Sequence, residues 1–132
     1  MSEVLAQLEK KGGGDLKETI LWTNPSPTSS FGGVDVSLSE TIENFKYVKL
    51  YFRISTSNST QSATIYEKDI FKAFTSAGNG ASGAISARQS NTNYFRRVAY
   101  KSPTEITYLN TVTASGGYDG NYLIPLKFCG LK

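Results

Sequence analysis

The residues that could do chemistry in this chain are few, and their spacing does not combine them. Its 132 residues include no histidine. That removes the commonest general base and metal ligand, and with them any Ser-His-Asp or Cys-His arrangement. The single cysteine, Cys129, excludes an internal disulfide and a multi-cysteine metal site. Its neighbours Leu126, Phe128 and Leu131 make it a small core residue by expectation. A glycosidase needs two carboxylates at a set separation. Glu67, Asp69, Glu105 and Asp119 are available, but nothing pairs them, and Glu40, Glu43, Glu67 and Asp69 read more simply as solvated charges. Asp119 and Asn121 could offer oxygens to calcium, yet one carboxylate and one amide are too few. A plain turn is expected there. No phosphate-loop motif is present, and Gly78-Asn79-Gly80 lacks the strand–helix flanks of a nucleotide fingerprint. The expectation is a protein that is not an enzyme, with no cofactor and no metal.

Recognition chemistry is better represented. Eight tyrosines, seven phenylalanines and one tryptophan supply rigid surface with polar handles. The basic group Arg88, Arg96, Arg97 and Lys101, interleaved with Tyr94 and Phe95, resembles a nucleic-acid surface in composition. However, Arg96 and Arg97 are adjacent on a predicted strand and must point to opposite faces. They cannot form one patch, and one of them is expected at a sheet edge or a subunit contact. The net charge of only +3 also falls short of a dedicated nucleic-acid binder. No nucleic-acid partner is expected.

These side chains must be positioned by strands. The clearest is Phe45–Ser55, where Val48, Leu50, Phe52 and Ile54 fall on one face and Tyr47, Lys49, Tyr51 and Arg53 on the other. The first set predicts core. The second set, joined by Tyr118 as an exposed aromatic, is the predicted contact surface. It would meet a subunit, a sheet neighbour or a ligand. Tyr47 and Tyr51 would stand about 13–14 Å apart at strand rise, a spacing open to sugar stacking or subunit packing.

Further strands are expected at Thr19–Trp22, Val34–Leu38, Ala63–Ile70, Ala84–Gln89, Asn93–Tyr100, Glu105–Val112 and Tyr122–Phe128. Phe71–Phe74 could extend the fourth strand or form a helical turn. Pro125 argues for an edge position of the last strand, because it has no N–H to give a second neighbour. Glycine, serine, asparagine and proline punctuate the intervals. The fold class is all-β: an antiparallel sandwich of about eight strands, jelly-roll-like, over residues 15–132.

Residues 1–11 are the only good helical stretch, with Val4, Leu5 and Leu8 as a short apolar stripe. Gly12-Gly13-Gly14 ends it as a joint. Three turns alone are marginal in water, so residues 1–14 are expected to anchor the domain to a partner. No apolar run approaches the ~18 residues of a membrane span, and the first residues lack a secretory h-region. Synthesis in a cytoplasm without membrane insertion is expected.

One segment resembles a known group. Leu21-Trp-Thr-Asn-Pro-Ser-Pro-Thr-Ser-Ser-Phe31, then Val34-Asp-Val-Ser-Leu38 and Tyr47-Val-Lys-Leu-Tyr51, resemble a module in small structural proteins of phages and prophages of Gram-positive gut bacteria. The resemblance covers residues 19–55 and carries no catalytic residue. It implies a virion component of the fibre, tail-tip or head-decoration type, made in the host cytoplasm. Implied partners are other capsid or tail proteins, further copies of the chain (a trimer being one form) and a host-surface glycan. The competing reading is a free-standing carbohydrate-binding module.

Overall fold

The computed structural model describes residues 17–74, 83–89, 91–113 and 115–132. The expected N-terminal helix with Val4, Leu5 and Leu8, its glycine joint and the Gly78–Gly80 loop lie outside the described residues. Eight antiparallel strands form two sheets: β1 (Glu18–Thr23), β2 (Val34–Ser37), β3 (Tyr47–Ser55), β4 (Gln61–Glu67), β5 (Gly83–Gln89), β6 (Thr92–Ser102), β7 (Glu105–Thr113) and β8 (Tyr122–Leu131). The first sheet has the order β1-β8-β3-β4 and the second β2-β7-β6-β5. A 3-10 turn (Ile42–Asn44) precedes β3, and one short helix, α1 (Lys68–Lys72), follows β4. Where a strand running to Ile70 was expected, β4 instead ends at Glu67 and α1 turns Phe71 fully into the core.

The core lies between the sheets and follows the two-residue period of a pleated strand. Val48, Leu50 and Phe52 are buried, with Ile54 partly buried at the strand end. They meet Phe128 and Phe71 toward one end of the sandwich and Ile85, Tyr94 and Leu123 toward the other. Each large side chain removed from water contributes about 1.5–3 kcal/mol before conformational entropy is counted.

β8 is not an edge strand. It pairs with β1 on one side and β3 on the other. Two features accommodate Pro125. Tyr51 pairs with Lys127 but Phe52 with Pro125, so Leu126 is an extra residue bulged out of the β3 ladder. On the other side β1 has ended, and Asn24 takes over. Its backbone N–H donates to the Leu126 carbonyl at 2.8 Å and its buried side-chain amide to the Pro125 carbonyl at 2.8 Å. The missing proline N–H is therefore asked of neither neighbour. The Asn that closes the Leu-Trp-Thr-Asn run has a local reason: it prolongs the β1–β8 contact past a proline.

Candidate functional site

The arginine pair resolves into one inward and one outward side chain. Arg96 is fully buried, and β6 lies between β7 and β5, so neither arginine stands at a sheet edge, where one of the two was expected if not at a subunit contact. Its guanidinium meets no carboxylate among the described residues. Nε donates to the Leu123 carbonyl at 2.8 Å, one terminal nitrogen to Leu109 O at 2.6 Å and Gly32 O at 3.5 Å, and the other to Phe31 O at 2.7 Å and Tyr122 O at 3.4 Å. It also sits 5.1 Å from the Phe31 ring centre. Burial lowers its pKa to about 10, which still leaves it charged at neutral pH. One cation thus ties together the segment before β2, β7 and the start of β8. A lysine, a point charge without a planar fork, could not span these acceptors.

On the opposite face of the same strand, Arg97 lines an open groove of about 680 Å³ on the outer surface of the second sheet. Phe95, Arg97, Asp35, Thr107, Asn110, Val112 and Tyr118 contribute to its walls. β7 shapes the floor. Arg96 pairs with Thr111 and Val98 with Tyr108, so β7 carries one extra residue at Leu109/Asn110. This bulge is held from beneath by Arg96 at the Leu109 carbonyl. Bulges commonly re-aim side chains beside functional sites. Asn110 Oδ1 accepts from the Gly33 N–H at 2.7 Å, closing the groove toward β2.

Tyr118 is brought over the groove by its loop, not by a strand. Val112 and Tyr118 form an isolated bridge. The Asp119 N–H donates to Thr111 O at 3.0 Å, Thr111 Oγ1 donates to Tyr122 O at 2.8 Å, and the Phe31 N–H donates to Gly120 O at 2.8 Å. Asp119 Oδ1 accepts from the Asn121 N–H at 3.1 Å, so this pair builds a turn, as expected. Among the described residues no cluster of metal-ligating side chains occurs.

Five large apolar residues are exposed among the described residues, and three of them line this groove: Val34 at 45%, Phe95 at 37% and Tyr118 at 75%. The charges divide along it. Asp35 accepts from Lys101 Nζ at 2.6 Å and from Thr107 Oγ1 at 2.6 Å, and its pKa is lowered mainly by the Lys101 hydrogen bond. Lys101 also lies 3.7 Å from Glu105. The Arg97 guanidinium forms neither a hydrogen bond nor an ion pair among the described residues.

The other predicted surface, Tyr47, Lys49, Tyr51 and Arg53, lies on the outer side of the first sheet and is occupied by its own neighbours. The Tyr51 hydroxyl donates to Glu18, and Lys49 and Lys127 stand 4.6 and 4.4 Å from the Tyr51 ring centre. Both lysines approach the same Glu18 carboxylate, at 3.6 and 3.9 Å. Arg53 donates to the carbonyls of Ser55 and Thr56. Tyr47 packs beside Ile65 and Leu131. Cys129 is buried as expected, but in register with Lys49 on this outer side, opposite to its core neighbour Phe128. Burial and the Glu18 charge push its thiol up to about 12. Of the predicted contact residues, Tyr118 alone belongs to the groove. Asp35, Asn110 and Val112 carry no sequence signal for a site. Phe95 and Arg97 stood in the basic and aromatic stretch, which did not reveal that β7 and the Tyr118 loop would wall them in.

The fold and site together define a β-sandwich-like domain with a mixed aromatic and charged groove on one sheet face. No protein-family model matches the chain, and no curated protein matches it.

Proposed function

We propose that the chain is a non-enzymatic surface protein of a bacteriophage particle, presenting its sandwich outward as a fibre, tail-tip or head-decoration module. Residues 1–14 would attach it, with Val4, Leu5 and Leu8 as the anchoring stripe. The observation that carries the recognition role is the convergence of Val34, Phe95 and Tyr118 in one groove with Arg97, which has no ion-pair or hydrogen-bond partner among the described residues. Exposed aromatics gathered beside fixed polar groups are what a binding surface needs. The particle setting rests on the likeness of residues 19–55 to phage structural proteins. A jelly-roll-like topology belongs to the same reading: β8 lies between β1 and β3 and β2 beside β7, while the β3–β4 hairpin departs from the ideal order. Assembly as a homo-oligomer, such as a trimer, would multiply weak groove contacts into useful avidity.

A free-standing carbohydrate-binding module is the second reading, favoured by the high exposure of Tyr118. Two measurements separate and test them. Mass spectrometry of purified particles should find the chain, and particles carrying a deletion of residues 1–14 should lose it. Purified protein should bind host cells, and the double substitution Phe95→Ser, Tyr118→Ala should abolish that binding while leaving the thermal midpoint unchanged. Absence from particles would leave the free module. Cell binding indifferent to the double substitution would remove the groove from the function.

A further inference from the structure

We infer that the groove recognises a carboxylate-bearing carbohydrate, with Arg97 receiving the carboxylate and Tyr118 and Phe95 the apolar face of the sugar ring. This rests on the proposal above that the groove is the recognition surface. The reasons are local. A guanidinium with no partner among the described residues, in one groove with two exposed aromatic rings, presents a planar fork matched to a carboxylate. The groove lies on a sheet face where β6 and β7 are already paired on both sides. An extended peptide could not add there as a strand, because that mode needs a free edge. Recognition must come from side chains, which suits a ring that stacks and hydrogen-bonds at its rim.

The wider face favours the same ligand. Arg88 on β5 pairs with Asn93, and Ala84, four residues away, pairs with Arg97. Arg88 and Arg97 therefore share the outer face, about 13–14 Å apart at strand rise, with Phe95 between their registers. Arg88 also forms no hydrogen bond or ion pair among the described residues. A chain with more than one carboxylate could engage both. Nucleic acid fits less well. Its backbone calls for a continuous row of cations, whereas the far end of the groove holds the Asp35–Lys101–Glu105 group with two carboxylates to one ammonium.

The test is a titration of the full chain with matched probes. Sialyllactose is compared with lactose, and oligogalacturonate with its methyl ester, so that sialic- and uronic-type carboxylates are read separately. Poly(U) RNA serves as a competitor. The expected result is binding of at least one carboxylated probe that exceeds its neutral partner by about ten- to a hundredfold, the range of a charge-assisted hydrogen bond. Arg97→Gln should erase that difference, Arg97→Lys should restore part of it, and Tyr118→Ala should weaken both members of the pair. Equal binding of charged and neutral probes would overturn the inference, as would no binding to any carboxylated probe, or RNA displacing the sugar in an Arg97-dependent way. If any of these occurs while host-cell binding still depends on Phe95 and Tyr118, the acidic-sugar assignment falls and the groove stands. If host-cell binding ignores the groove too, both fall.

Discussion

Arg96 Nε donates to the carbonyl of Leu123 at 2.8 Å, and Leu123 has a φ of 55°. A leucine in the left-handed region costs about 1–2 kcal/mol. Leu123 is also fully buried, so the strain is held by packing and by the guanidinium that caps its carbonyl. The same cation holds Phe31 O and Leu109 O, at the β2 end and at the β7 bulge. We predict that Arg96→Met lowers unfolding free energy by about 1–3 kcal/mol, the cost of leaving buried carbonyls without a donor. Arg96→Lys should recover little of it. Denaturant unfolding reads this as a lower midpoint at unchanged slope. A loss below about 1 kcal/mol would show that the carbonyls find other partners.

Tyr108 is buried in the core with a hydroxyl that makes no hydrogen bond among the described residues. It packs against Trp22 and Phe31 at ring separations of 5.4 and 5.7 Å, so its ring is well used and its oxygen is not. Burying an unpaired polar group costs about 1–3 kcal/mol. Tyr108→Phe keeps the ring and removes the oxygen. We expect unchanged or higher stability, by up to about 1–3 kcal/mol on the same grounds. A clear loss in thermal or denaturant unfolding would mean that the hydroxyl has a partner in solution.

How legible the molecule was depends on the range of the interactions. The two-residue period of β3 sufficed to assign Val48, Leu50 and Phe52 to the core, because burial of one strand face is a local property. Eight strands followed from the same logic and from turn residues between them. Pro125 misled because its edge preference is local, while the bulge at Leu126 and the Asn24 side chain that compensate for it come from elsewhere in the chain. The alternation placed Arg96 and Arg97 on opposite faces. It could not say which was buried, since the acceptors of Arg96 belong to separate segments. The groove was least legible, because its walls come from β2, β6, β7 and the Tyr118 loop.

Alkaline pH should unfold the protein earlier than its tyrosine and cysteine content alone suggests. Burial raises the Cys129 thiol from its usual 9 to about 12, and raises the hydroxyls of Tyr51 and Tyr108 above their ordinary range. The unfolded chain releases these protons first, so stability contributed by the protonated forms is lost as pH rises through about 9 and beyond. Arg96 acts in the opposite sense, since its lowered value favours the folded state only above about 10. Three groups outweigh one, and the thermal midpoint should fall steadily from pH 9 to pH 11. A flat profile across that interval would contradict the assigned burial. In the same experiment a thiol reagent at pH 8 should leave Cys129 unmodified until denaturant is added, because the thiolate is the nucleophile.

Gly130 offers the most local test of the packing between β8 and the turn before β3. It lies between Thr19 of β1 and Val48 of β3, and the buried ring of Phe45 rests against its backbone. A β-carbon at this position would stand 2.6 Å from Phe45 Cδ1 and Cδ2, well inside van der Waals contact. The Phe45 backbone is held, its N–H donating to Ile42 O at 3.1 Å and the Lys46 N–H to Leu131 O at 2.9 Å, and its ring is packed in the core with little space to swing into. Gly130→Ala should therefore cost about 1–3 kcal/mol, as overpacking in a close-packed core does. Adding Phe45→Leu should return part of that loss, since a smaller side chain makes room for the methyl group. The two changes touch, so their effects should not add. Strict additivity in a double-mutant cycle would show that Phe45 is not what excludes a side chain at residue 130.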